Sequence, residues 1–347
     1  MLNPDSNLNP KIFDKDVELA SMRKGFGEGL VKAAEANVNV VGLCADLDES
    51  VVMEAFKKRF PERFIEVGVA EQNLVTVASG MAAMGKIPFV GSYAIFSPGR
   101  NWEQIRTTIC YNDVPVKIIG SHVGVNVGAD GGSHQALEDI ALMRVLPRMV
   151  VISPCDAVEA GKATIAAAKT KDPTYIRLVR EKSPVMTTEE TPFEIGKAGI
   201  FVQGPLRPAV APSLSRSEGG TSDKLDVGII ATGPLLHKAL LVAKKLNADG
   251  KKVAVMNLST IKPLDEKAII QLAHNTRAIV TVEEHQIAGG MGSAVAECLA
   301  AHFPTPIEFV GVRDQFGQSG KPDELLELYE MGEKHIMEAV KRVMLRK

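Results

Sequence analysis

Short, β-branched apolar runs alternate along the chain with Ala-rich stretches of helical period. In the first half, residues 38–47, 87–94, 114–122, 148–154 and 173–180 read as strands, and 17–36, 70–84, 101–111, 135–144 and 156–170 as helices. The second half repeats the scheme, with strands at 225–233, 251–259, 277–285 and 307–314 and helices at 234–248, 264–274, 290–302 and 323–345. The strand runs are apolar throughout rather than alternating, as expected where helices cover both faces of a mostly parallel sheet. The pattern therefore predicts an α/β protein built from doubly wound sheets.

The alternation breaks at 204–224, GPLRPAVAPSLSRSEGGTSDK, which has the Pro, Ser and Gly content of a linker. A length of 347 residues exceeds what a single core usually fills. Two domains are expected, at 15–190 and 225–347, joined by a connection over 191–224. Lys and Arg total 40 against 42 Asp and Glu, a net charge of −2. That balance argues against nucleic acid or a membrane surface as partner. No secretory pattern opens the chain, and no charge-free apolar stretch approaches membrane-spanning length. Cys44, Cys110, Cys155 and Cys298 are far apart and sit in or beside apolar runs, so they read as reduced core thiols of a cytoplasmic protein.

Against this background Glu71 stands out. From Val67 to Phe96 the only other charged residue is Lys86. Leu74, Val77, Ala78 and Met81 share one helical face, which places Glu71 in the first turn, where an acid suits the helix dipole. A carboxylate in apolar surroundings is also suited to sharing a proton with a ring nitrogen of a ligand. The small residues around it, among them Ser79, Gly80 and Gly85, fit close packing against another backbone or a second subunit.

The stretch 120–144 places glycines 124, 128, 131 and 132 in a mobile loop after a strand, with Ser133 as a cap for the next helix. In α/β proteins ligands bind at such carboxyl ends of strands, and His122, Asp130 and His134 can all face one cleft. A metal cluster of Asp130, His134 and Glu138 competes with this reading, as does a plain solvated loop. Phe96 follows a strand and reads as core or as a flat face for a heteroaromatic ring. Arg23, Arg177 and Arg180 lie at element ends, where arginines clamp phosphate or carboxylate groups. The stretch 282–302 has neither GxGxxG nor GxxxxGK[ST], so dinucleotide and P-loop readings are rejected.

Taken together, FIEVGVAEQNLVTVASGMAAMG, GADGGSHQALEDIALMR and VEEHQIAGGMGSAVAE resemble three successive segments of the transketolase family of thiamine-diphosphate enzymes. The resemblance covers nearly the whole chain and is to the family's C-terminal half. It implies a mainly parallel-sheet, thiamine-diphosphate-binding (pyrimidine) domain followed by a smaller transketolase C-terminal-like α/β domain. Glu71 matches the glutamate that hydrogen-bonds N1′ of the cofactor's aminopyrimidine, Phe96 the residue that stacks on that ring, and Arg100 a neighbour on the cofactor side. His122 and His134 match residues that handle the sugar's hydroxyls and protons, and Asp130 the reader of its C2 hydroxyl. Arg23, Ser50 and Arg180 match the phosphate-holding set at the cleft mouth.

The family's diphosphate and metal motif, Gly-Asp-Gly followed by Asn, is not found in this sequence. The resemblance therefore implies a partner subunit that carries the N-terminal half and most of the Mg2+ (or Ca2+) site, in an α2β2 assembly with self-association of this chain. Sugar phosphates are the implied substrates and two-carbon ketol transfer the implied reaction. Alternatives are the β-subunit of a 2-oxo-acid dehydrogenase E1 component, 1-deoxyxylulose-5-phosphate synthase, or a non-catalytic regulatory subunit. The Asp130–Gln135 arrangement and the joint presence of Glu71, Asp130, His134 and Arg180 favour transketolase.

Overall fold

Among the described residues, fourteen strands run in chain order: β1 (Leu19–Ala20), β2 (Val40–Cys44), β3 (Phe64–Glu66), β4 (Ile87–Tyr93), β5 (Lys117–Ser121), β6 (Val150–Ile152), β7 (Thr174–Leu178), β8 (Ser183–Pro184), β9 (Gly199–Val202), β10 (Val227–Ala231), β11 (Val253–Asn257), β12 (Thr260–Lys262), β13 (Ile279–Gln286) and β14 (Ile307–Val312). They belong to a computed structural model that describes residues 1–203 and 225–347; the expected linker stretch 204–224 lies outside the described residues. A seven-stranded sheet has the order β12-β6-β7-β5-β4-β2-β3, and a five-stranded sheet the order β14-β13-β10-β11-β9. Within the first sheet every pairing is parallel except that of β12 with β6. In the second, only β9 runs antiparallel. Strands β2, β5, β7, β10 and β11 are buried at every position, which accounts for their mostly apolar sequences.

Helices cover both faces. Met22–Ala36 packs against Ala157–Ala167 so closely that a Cβ at Gly25 would collide with the Ala157 carbonyl. Phe26 and Leu30 from that helix are fully buried, each contributing about 2 kcal/mol. All four cysteines are buried and free. No helix among the described residues is long and apolar enough to cross a membrane.

Several elements differ from the sequence pattern. Residues 199–202, inside the span expected as a connection, form β9 and pair with β11. The helix expected from 17 begins at Met22, because Ser21 caps it and residues 19–20 pair with β8. The helix expected over 101–111 starts as one α turn and continues as a π-helix, Ile105–Cys110. The one expected at 323–345 divides into Pro322–Leu328 and Glu333–Leu345, because Glu330 takes the left-handed backbone that ends a helix. Strand β12 comes from the second half of the chain yet extends the first sheet.

Candidate active site

Parallel pairing brings the carboxyl ends of β2, β4, β5 and β7 to one edge of the first sheet. Tyr93 closes β4, and His122 follows Ser121, the last residue of β5. His122 has φ 57°, a left-handed conformation that costs a non-glycine residue about 1 kcal/mol. Its ring stacks on Tyr93 with centroids 3.7 Å apart. Phe96 lies 6.2 Å from Tyr93 and nearly parallel to it. His134 meets Phe96 edge-on at 5.5 Å. The Arg100 guanidinium lies 4.8 Å over the other ring partner, Phe96, and its Nη1 donates to Glu71 Oε2 at 2.6 Å. Glu71, Arg100, Phe96, His134, Tyr93 and His122 thus form one continuous strip.

Glu71 opens the helix Glu71–Ala83 and is 2% exposed, whereas the Arg100 side chain is half exposed. Asn101, itself buried, donates to the Glu71 carbonyl at 2.8 Å and fixes the start of the helix against the segment carrying Phe96. Burial, with Arg23, Arg180 and His134 nearby, pushes the His122 imidazole down to about 3, so it is neutral across ordinary pH. The Ser121 hydroxyl and His122 Nδ1 lie 2.6 Å apart.

A second group borders the strip. Arg23 donates to the carbonyls of Ser50 at 2.6 Å and Arg180 at 2.7 Å, and burial lowers its pKa. Arg180 donates to the Val127 carbonyl at 2.7 Å and sits 4.0 Å from the Asp130 carboxylate. Arg23, Ser50, Arg180 and Asp130 are therefore gathered together, with Arg23 and Ser50 meeting through the Ser50 backbone.

Three details depart from the sequence reading. Arg177 is no ligand clamp: it is 2% exposed and bound to Asp139 through Nε at 2.8 Å and Nη2 at 3.2 Å. The glycine loop carries short 3-10 structure over Val125–Asp130, kinked at Gly128 where φ is 75°, with Val125, Val127 and Gly128 buried. The helix expected from 135 begins at Asp139, and Ser133 contacts His134 Nδ1 at 3.0 Å rather than capping it. Glu138 accepts from the Leu137 amide at 3.0 Å, and Asp130, His134 and Glu138 do not assemble as a metal cluster. Tyr93 was not singled out from sequence, although its place at the last position of an apolar strand was a usable signal.

The strip fits a flat aminopyrimidine. The guanidinium is itself a planar N–H donor resting on Phe96 and bonded to a buried carboxylate, so Arg100 marks a place where such a ring finds both contacts. Glu71 would hold its ring nitrogen and Phe96 its face.

Residues 18–185 match the family described as transketolase, pyrimidine binding domain, and residues 221–336 match transketolase, C-terminal domain. The chain is 41% identical over 92% of its length to a provisionally named transketolase C-terminal section of Methanocaldococcus jannaschii, covering 96% of that protein. It is 36% identical over 96% of its length to the 6-deoxy-6-sulfo-D-fructose transketolase subunit SqwH of a Clostridium species, covering 98% of it. Human transketolase is 34% identical over 92% of this chain, which spans 48% of that longer protein. A solved split-gene transketolase, described as an inactive beta4 tetramer, superposes with TM-score 0.83 at 39% identity, covering 94% of this chain and 98% of its own. The chain therefore belongs to the transketolase family, as the unit that joins its pyrimidine-binding and C-terminal domains.

Proposed function

We propose that this chain is one subunit of a two-chain transketolase that moves a two-carbon ketol unit from a ketose phosphate to an aldose phosphate. The observation that carries the reading is the strip from Glu71 through Phe96 to His134 and His122, bordered by Asp130 and Arg180. The family works with thiamine diphosphate, which when bound supplies the carbon that takes up and releases the two-carbon unit. Glu71 holds the proton shared with the pyrimidine ring nitrogen, and Phe96 orients the ring. Neutral His122 hydrogen-bonds the sugar's oxygens and His134 exchanges protons there, while Asp130 reads the adjacent hydroxyl. Arg180, Arg23 and Ser50 line the end of the cleft that receives the phosphate. A partner chain of the N-terminal type supplies the diphosphate and Mg2+ side of the site, in an α2β2 assembly.

The test mixes this chain with its partner, thiamine diphosphate and Mg2+ and follows xylulose 5-phosphate with ribose 5-phosphate. Ketol transfer is expected from the mixture alone, and full activity of the lone chain would refute the two-chain reading. Glu71→Ala is expected to fold normally and lower turnover by about 10²- to 10⁴-fold, the usual worth of a placed proton-transfer group. The relative named for a sulfonated fructose makes a sulfonate the competing anion for the arginine end. Running both anions in one competition assay decides between them.

A further inference from the structure

The residues that line the strip all come from the first domain, but the turn that carries Asp130 is held from the second. Asn126 donates its backbone N–H to Glu284 Oε1 at 2.6 Å. At Gly124, with φ 73°, a Cβ would collide with the Glu284 carboxylate, so the glycine admits the acid. Glu284 lies on β13, is 3% exposed, and offers its own carbonyl to Arg177 Nη2 at 2.7 Å. Arg177 in turn is clamped by Asp139, whose carboxylate also accepts from Tyr175 at 2.7 Å. From Asn126 the chain of contacts runs toward the site. Asn126 Oδ1 accepts from the Glu181 amide at 2.7 Å, next to Arg180, and the neighbouring Val127 carbonyl accepts from the Arg180 guanidinium at 2.7 Å. The Pro322–Leu328 helix supports the same turn, with Pro322 close against Gly128.

We propose that Glu284 is a positioning residue: through the Asn126 amide it sets the Val125–Asp130 turn, and with it the spacing of Asp130 and Arg180. It touches no part of the strip itself. The bond is short and its acceptor is buried, so losing it takes away that amide's protein partner. Through it the second domain acts on the first from outside the strip. The consequence for turnover rests on the ketol-transfer reading above, whereas the holding of the turn does not.

The experiment measures backbone amide hydrogen exchange in the full chain for wild type, Glu284→Ala, Glu284→Gln and Asn126→Ala. Glu284→Ala is expected to speed exchange at Asn126 and Glu181 by about tenfold, the loss of one hydrogen bond to a buried acceptor. Amides of β10 and β13 should keep wild-type protection. Glu284→Gln keeps an acceptor and should restore most of the protection. Asn126→Ala leaves Glu284 in place and should free the Glu181 amide alone. In the reconstituted enzyme, Glu284→Ala should raise KM for the ketose phosphate about tenfold with thiamine diphosphate affinity unchanged. Unchanged exchange at Asn126, or loss of protection throughout β13, would overturn the proposal. Local exchange as expected with no ketol transfer even in wild type would uphold the turn's anchor and sink the catalytic reading instead.

Discussion

Glu71 has a partner within its own chain, and that partner sits on the aromatic face beside it. The Arg100 guanidinium is half exposed, so its ion pair with the buried acid is partly screened and worth about 0.2–1 kcal/mol. A ring that needs the Glu71 carboxylate and the Phe96 face must displace that guanidinium from both. Arg100→Ala is therefore expected to tighten thiamine diphosphate binding by about two- to fivefold in the assembled enzyme, the equivalent of that pair. A titration followed by fluorescence or calorimetry reads this directly, and weaker binding in the variant would instead make Arg100 a cofactor contact. Glu71 was legible from sequence because one acid in a long apolar run is conspicuous. Arg177 was misread because its role depends on Asp139, a residue distant in sequence that folding brings to its guanidinium. Side chains at strand ends look alike in sequence whether they face a cleft or a second domain.

At the scale of elements, long apolar runs were legible and short pieces were not. Strands β2, β4, β5, β10 and β11 fall inside the predicted runs, since strands covered on both faces are mostly apolar. β12 and β9 were missed because three or four residues cannot show a period. One element-scale contact has a measurable pH signature. Lys117 opens β5, is wholly buried, and donates to the carbonyls of Thr170 at 3.2 Å and Asp172 at 2.5 Å, tying the chain after the Ala157–Ala167 helix to the sheet. Burial pushes its ammonium down to about 7, below its value of 10.5 in an unfolded chain. Between those values the unfolded state binds the extra proton, so stability rises with pH through this window and is lost as pH falls toward 7. Urea unfolding at pH 7 and pH 9.5 should show wild type gaining on Lys117→Met at the higher pH. An equal difference at both would show that Lys117 has an ordinary affinity for its proton.

Across the whole molecule the two sheets share one interior. Met143, Leu146 and Val151, on the side of the first sheet, pack in the same buried cluster as Leu258, Ile269 and Met291, on the side of the second. Lys262 donates to the Arg144 carbonyl at 3.0 Å and to that of Leu146, and the Ser153 amide donates to the Ser259 carbonyl at 2.7 Å. The second domain's β10 and β13 also end against the first: Thr232 bonds the Ser153 carbonyl, and His285 Nε2 accepts from the Ile140 amide at 3.2 Å. Calorimetry of the full chain is therefore expected to give one cooperative transition whose van't Hoff and calorimetric enthalpies agree. Two resolved transitions would show that the halves unfold independently.

The placement of β12 bears on where a gene of this family can be divided. A break ahead of the pyrimidine-binding domain leaves every strand of both sheets with its neighbours. A break inside 204–224 would leave β6 an open edge on one product and place β12, which covers it, on the other. Such fragments would have to re-form a sheet between separate chains before either was safe from aggregation. Gene fission is thus cheap on one side of this unit and costly at its middle, although the middle has the composition of a linker.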